Sequence, residues 1–88
     1  MPALNEQRRE INARFDLIVG TNVYQFRTRK DILQKDLAHR VGMDRSVLNR
    51  VEFGERSLKF REAIGIAKAL GVRVETLTRQ HDDIEYPQ

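Results

Sequence analysis

The 88-residue chain is predicted to be all-α, a bundle of five short helices around one core. Three observations carry that reading. Apolar residues recur three and four positions apart through five separate stretches, the spacing that puts them on one face of a helix. No stretch alternates with period two, as a half-buried strand would. Gly42 and Gly71 each follow such a stretch, where a helix that must stop takes a left-handed residue.

Residues 1–14, MPALNEQRREINAR, are polar, with Leu4, Ile11 and then Phe15 at helical offsets. They form a frayed leader or an N-terminal extension of the first helix, and the alternative role for Arg8, Arg9 and Arg14 is an arm reaching phosphates. Helix 1 is placed at 12–30, with Phe15, Ile18, Val19, Val23 and Phe26 inward. Gly20 costs up to ~1 kcal/mol relative to alanine inside a helix, so another helix is expected to pack closely there. Helix 2 is placed at 34–41 and helix 3 at 44–53, with Asp44 as N-cap. Helix 4, at 60–70, is expected to bury Phe60, Ala63, Ile64, Ala67 and Leu70; helix 5, at 74–79, buries Val74 and Leu77. Residues 15–79 thus form the domain, and 80–88 an acidic tail read as a disordered terminus.

The stretch QKDLAHRVGMDRSVLNRVEFG, residues 34–54, organises the rest. Leu37, Ala38 and Val41 share one face of helix 2, and Val47, Leu48 and Val51 one face of helix 3. Two short helices joined by a turn of about three or four residues are a helix-turn-helix.

Composition narrows the partners. Residues 27–61 hold ten Lys or Arg against five Asp or Glu, while the whole chain carries only +3. A basic block centred on that motif points to a polyanion. With no cysteine there is neither a disulfide nor a thiolate metal site, and no cofactor or metal is expected. His39 and His81 are isolated and lack metal-ligand spacing. No apolar run approaches the ~18 residues of a membrane span, and the N-terminus does not resemble a signal peptide, so an intracellular, cytoplasmic protein with no membrane partner is expected. A triad of Ser46, His39 and Asp44 would lie on a short exposed motif without a pocket, so the chain is not expected to be an enzyme.

Gln34, Ala38, Gly42, Leu48 and Val51 resemble the repeated positions of the phage-repressor/Cro-type (Xre-like) helix-turn-helix domains, whose fold is the five-helix lambda-repressor-like bundle. Val19-Gly20, Val23, Phe26 and Arg27 resemble that family's first helix, Glu52-Phe53-Gly54 its Glu-x-Gly ending, and Ile66 to Val72 the end of its fourth helix. The match runs over residues 15–79. The chain departs from the pattern at Leu33 and Arg73, where a Ser or Thr usually caps, and at Leu58, where proline is frequent. A lost cap costs about 0.5–2 kcal/mol.

With Val47, Leu48 and Val51 inward, helix 3 presents Arg45, Ser46, Asn49 and Arg50 to the major groove of double-stranded DNA. Either arginine can fork onto guanine O6 and N7; Asn49 can pair with adenine or hold a phosphate. The resemblance implies base reading for Arg45, Ser46 and Arg50, and more often backbone contact at Asn49. Gln34 at the start of helix 2 is expected on a phosphate, with Lys35, Arg56, Lys59 and Arg61 flanking as backbone clamps. The resemblance further implies a partly buried ion pair between Arg27 and Glu52, and a homodimer contact through Val74, Leu77, Thr78, Ile84 and Tyr86. The function this implies is a sequence-specific transcriptional regulator, a repressor or autoregulator on an inverted repeat, like the family's small stand-alone members. Two rivals stand beside it: an antitoxin whose acidic tail docks on a basic toxin, and a non-specific or RNA-binding module. Glu55 or Glu62 could instead touch RNA polymerase in an activator.

Overall fold

In the computed structural model, which describes residues 4–88, the chain is built on one long strut. Helix α1 spans Leu4–Arg29, followed by α2 (Gln34–Val41), α3 (Arg45–Glu52), α4 (Phe60–Leu70) and α5 (Val74–Thr78). No strand occurs among the described residues. Helix α1 starts eight residues before the 12–30 expected from the stripe, because the polar leader continues the same helix. Its first turns, residues 4–15, are all exposed. From Asp16 onward α1 packs against α3 and α5, while α2 packs on α3 and α4.

The close approach comes at Gly20. A Cβ there would lie 2.1 Å from the Val51 carbonyl oxygen and 3.0 Å from that of Glu52. Backbone cannot give way as a flexible side chain does, so any larger residue would pry α3 off α1. Gly42 serves otherwise: at φ 68° it ends α2 with its N–H on the Ala38 and His39 carbonyls, a conformation costly for other residues. The core lies between these helices and consists of Val19, Val23, Leu37, Ala38, Leu48, Ile66, Ala67, Leu70 and Leu77.

Several expectations are corrected. Phe60 is 74% exposed and Ile66 takes its place in the core, rotating the buried stripe of α4. Phe15 is 41% exposed. Asp44 holds the extended N-cap conformation of α3, yet its side chain makes no capping bond. The starts of α2 at Leu33 and α5 at Arg73 also lack side-chain caps, so packing holds them. Helix α4 has half of a capping box: Glu62 accepts from the Lys59 N–H at 2.8 Å, and the ammonium of Lys59 has nothing to accept with.

The C-terminal segment is not a loose tail. Ile84 is buried at 7% exposure, and Tyr86 Oη donates to Asn22 Oδ1 at 2.5 Å while accepting from the His81 N–H at 2.9 Å. Asn22, fully buried, donates both amide protons, to the Leu77 and Arg79 carbonyls at 2.9 and 2.8 Å. His81 Nε2 bonds the Thr76 carbonyl at 2.7 Å, and its ring stands edge-on to Phe26. Asp83 pairs with Arg29, and Arg14 donates to the Pro87 carbonyl. The acids of this segment face water while Ile84 and Tyr86 strap it to α1. Of the residues expected at a dimer contact, Leu77 and Ile84 are buried within the protomer, Val74 is half-buried and Thr78 is exposed.

Candidate nucleic-acid interface

Helix α3 is eight residues long, and its two faces are sharply divided. Leu48 and Val51 are buried and Val47 is half-buried, which turns Arg45, Ser46, Asn49 and Arg50 outward, all four exposed. Neither Arg45 nor Arg50 is in an ion pair among the described residues. Their charge is therefore available to an anion.

What holds this face in place is a charged link to α1. Arg27 Nε donates to Glu52 Oε2 at 2.7 Å and Nη2 to Oε1 at 2.9 Å, a two-pronged pair whose side chains are only 10% and 4% exposed. The third guanidinium nitrogen, Nη1, donates to the Ile32 carbonyl at 2.8 Å, closing the α1–α2 turn. Such a fork fixes orientation as well as distance. The Glu52 carboxylate also accepts from Gln34 Nε2 at 2.9 Å, and the same nitrogen reaches Asn49 Oδ1 at 3.2 Å. Arg45 Nε approaches Gln34 Oε1 at 3.4 Å, a long bond. The motif's two helices are thus joined by polar contacts at their solvent-facing edge, as well as by the apolar seam beneath.

Gln34 opens α2, where unpaired backbone N–H groups and the positive end of the helix dipole meet solvent. Lys35, Lys59 and Arg61 are exposed and carry no ion pair among the described residues. Arg56 differs from the other expected clamps. It forks onto Glu62 at 2.6 and 3.2 Å and donates to the Ser57 carbonyl, so its charge is largely compensated where it sits. The hydrogen bond from Arg56 holds the Glu62 carboxyl below its usual range, helped by the Lys59 N–H and opposed by burial. Glu62 is accordingly occupied by Arg56 and the Lys59 N–H.

Beside this face runs an open groove of about 640 Å3, lined by Leu17, Thr21 and Tyr24 of α1, by Asn49 and Phe53, and by Glu85 and Pro87 of the strap. Tyr24, Leu33 and Phe53 are exposed there, and the Arg27 guanidinium lies 5.5 Å from the Tyr24 ring centre. Sequence reasoning missed these apolar neighbours, because a lone exposed aromatic carries no periodic signal.

The helix-turn-helix family model HTH_3 matches residues 23–77. Among solved structures the chain is similar to the restriction-modification controller protein C.AhdI from Aeromonas hydrophila, with 31% identity and a TM-score of 0.68 over 70% of this chain and 94% of that one. It is similar to the hypothetical transcription factor NHTF from Neisseria at 26% identity and TM-score 0.71, covering 77% and 78% of the two chains. The clp gene regulator ClgR from Corynebacterium glutamicum, at 21% identity and TM-score 0.70 over 72% of this chain and 67% of its own, shares the fold. No curated protein matches.

Proposed function

The chain belongs to the HTH_3 helix-turn-helix family of DNA-binding transcriptional regulators, and from that premise we propose that it is a sequence-specific repressor or autoregulator binding an inverted-repeat operator as a homodimer. The observation that carries this reading is the outer face of α3: two exposed arginines free of ion pairs, with Ser46 and Asn49 between them, on a helix fixed by the Arg27–Glu52 fork. Helix α3 enters the major groove, and Arg45 and Arg50 read guanine edges. The start of α2 and Lys35, Lys59 and Arg61 hold phosphates. Arg56 joins them only by leaving or sharing Glu62. The likeness to a restriction-modification controller supports a small regulator of its own operon.

A single domain buries about 600–1,000 Å2 on DNA, too little for high specificity, which favours two half-sites and a dimer. With Leu77 and Ile84 occupied, the dimer surface falls on Val74, Thr78 and the apolar residues beside them. Phe15, Leu58, Phe60 and Ala63 line a shallow groove of about 220 Å3 with these two. Phe60→Asp is expected to give a monomer in sedimentation and to weaken binding to two half-sites far more than to one. The antitoxin reading loses support, since the acidic segment is strapped to α1 rather than free.

The test is selection of bound sites from random duplexes at about physiological salt, where non-specific binding is weak. An inverted repeat with guanines in each half-site supports the proposal; Arg45→Ala and Arg50→Ala then each cost about 1–3 kcal/mol and relax one position. Binding without a motif, fading smoothly with salt, would demote the protein to a basic binding module.

A further inference from the structure

Four side chains at the reading face form one hydrogen-bonded chain, and its polarity is forced. Glu52, ionised against Arg27, can only accept. Gln34 must then turn its amide nitrogen toward Glu52, which settles an orientation that shape alone leaves ambiguous. The same nitrogen meets Asn49, which must answer with its carbonyl oxygen. The Gln34 oxygen, on the other side of its amide, receives Arg45 Nε. The hydrogens left for a ligand are the two amide protons of Asn49 and those on the two Nη groups of Arg45, none with a partner among the described residues, while Asn49 Oδ1 is engaged by Gln34 on one of its two lone pairs.

We propose that Gln34 is a specificity-determining residue of the DNA-reading face, acting through the direction of its hydrogen bonds rather than by touching a base. Held by Glu52, it turns Asn49 so that the amide protons face the groove, and it positions Arg45, which has only donors to offer. The bases beneath them are read as acceptors, guanine foremost with its N7 and O6, and cytosine is refused because its N4 amine is itself a donor. The two-point pairing of Asn49 with adenine, which needs the carbonyl oxygen turned to the base, is disfavoured by the same constraint. The buried ion pair thereby acts beyond anchoring α3: it sets the sign of the pattern that α3 can read. This inference rests on the DNA-reading function proposed above.

Site selection with the parent protein and two variants tests it. Gln34→Met keeps length and volume but has no polarity to transmit. It is expected to change base preference by about five- to a hundredfold at the positions that Asn49→Ala and Arg45→Ala also relax, with the salt slope unchanged. Asn49→Asp can still accept from Gln34, but it presents acceptors to the groove. Its preference is expected to move from guanine toward cytosine, as a carboxylate accepts from the N4 amine. Melting curves of each variant confirm that it is folded at the selection temperature. If Gln34→Met weakens all sequences equally and moves no base preference, Gln34 is a phosphate contact alone and the inference is overturned. An adenine at the Asn49 position in the parent, unmoved by Gln34→Met, overturns it as well. A parent that selects no motif defeats the DNA-reading function itself, so the two failures are told apart.

Discussion

Two buried polar side chains on α1, Asn22 and Arg27, tie the helix to different parts of the molecule, and they do so by different physics. Arg27 reaches α3 through a charged fork onto Glu52; Asn22 reaches the end of α5 and the C-terminal strap through three neutral hydrogen bonds. The charged link gives up more hydration and holds geometry tightly, so losing one partner strands a charge in the interior. The neutral link strands only dipoles. The reading helix is thus mounted where failure is abrupt, and the strap where failure is graded. A face proposed to present side chains to DNA in fixed register gains from the first arrangement.

The largest effect expected from breaking this contrast is at the charged link. Glu52→Ala leaves Arg27 buried with the Ile32 carbonyl as its remaining hydrogen-bond acceptor and the Tyr24 ring beside it, and should cost about 3–5 kcal/mol of a total of roughly 5–15. Urea unfolding measures it, and DNA binding should fall even where the variant stays folded, because Gln34 also loses its acceptor. The double variant Arg27→Met with Glu52→Leu removes both charges and should recover most of the stability without the binding. A Glu52→Ala protein that melts like the parent would refute the structural role of the pair.

At the neutral link the expected losses are smaller. Asn22→Ala unpairs two carbonyls and the Tyr86 hydroxyl, for about 1–3 kcal/mol, and should loosen the segment after Thr78 in hydrogen exchange. Tyr86→Phe removes a single hydroxyl from the same site and should cost about 0.5–1.5 kcal/mol. Both variants should keep parental DNA affinity at temperatures where they are folded, since the α1–α3 link is untouched. Loss of affinity in Tyr86→Phe would show that the two links are coupled.

The contrast also marks what a sequence can reveal. Helices α2 and α3 were legible because their apolar spacing is unambiguous and Gly42 punctuates them; the bounds hold within one residue of those expected. Helix α4 was placed correctly but its inner face was not. With apolar residues at 60, 63, 64, 66, 67, 69 and 70, two stripes fit equally, and only packing against α2 and α5 selects the one through Ile66. Asn22 sits inside the apolar stripe of α1, a polar residue flanked by Val19 and Val23, and that was its only signal. A side chain that bonds backbone carbonyls has no fixed partner type, so no spacing rule finds it. The strap hid behind its acids: Ile84 and Tyr86 are what bury it, but two residues in an acidic run do not make a period. At the reading face the outward residues followed from the inward ones. The Gln34 bridge did not, because it depends on where side-chain tips meet.

The smallest predicted effect separates the two causes that Arg27–Glu52 combines, charge and burial. Arg56–Glu62 is also two-pronged, end-on through Nη1 and Nη2 and 2.6 Å at its shorter arm, but its side chains are 25% and 20% exposed. Water still solvates both groups, so Glu62→Gln should cost only about 0.5–1 kcal/mol at neutral pH. Its signature lies in acid. Arg56 holds the folded-state carboxyl of Glu62 below its ordinary value, so the pair stabilises the fold above the unfolded pKa of about 4.3. That contribution is lost as pH falls through the folded value, and Glu62→Gln should flatten this part of the acid limb when urea midpoints are compared across pH. The Arg56 freed by the substitution would also be available to phosphate, raising affinity for DNA of any sequence and steepening the salt dependence. If Glu62→Gln instead destabilised the protein as severely as Glu52→Ala, burial would not be what distinguishes the two ion pairs.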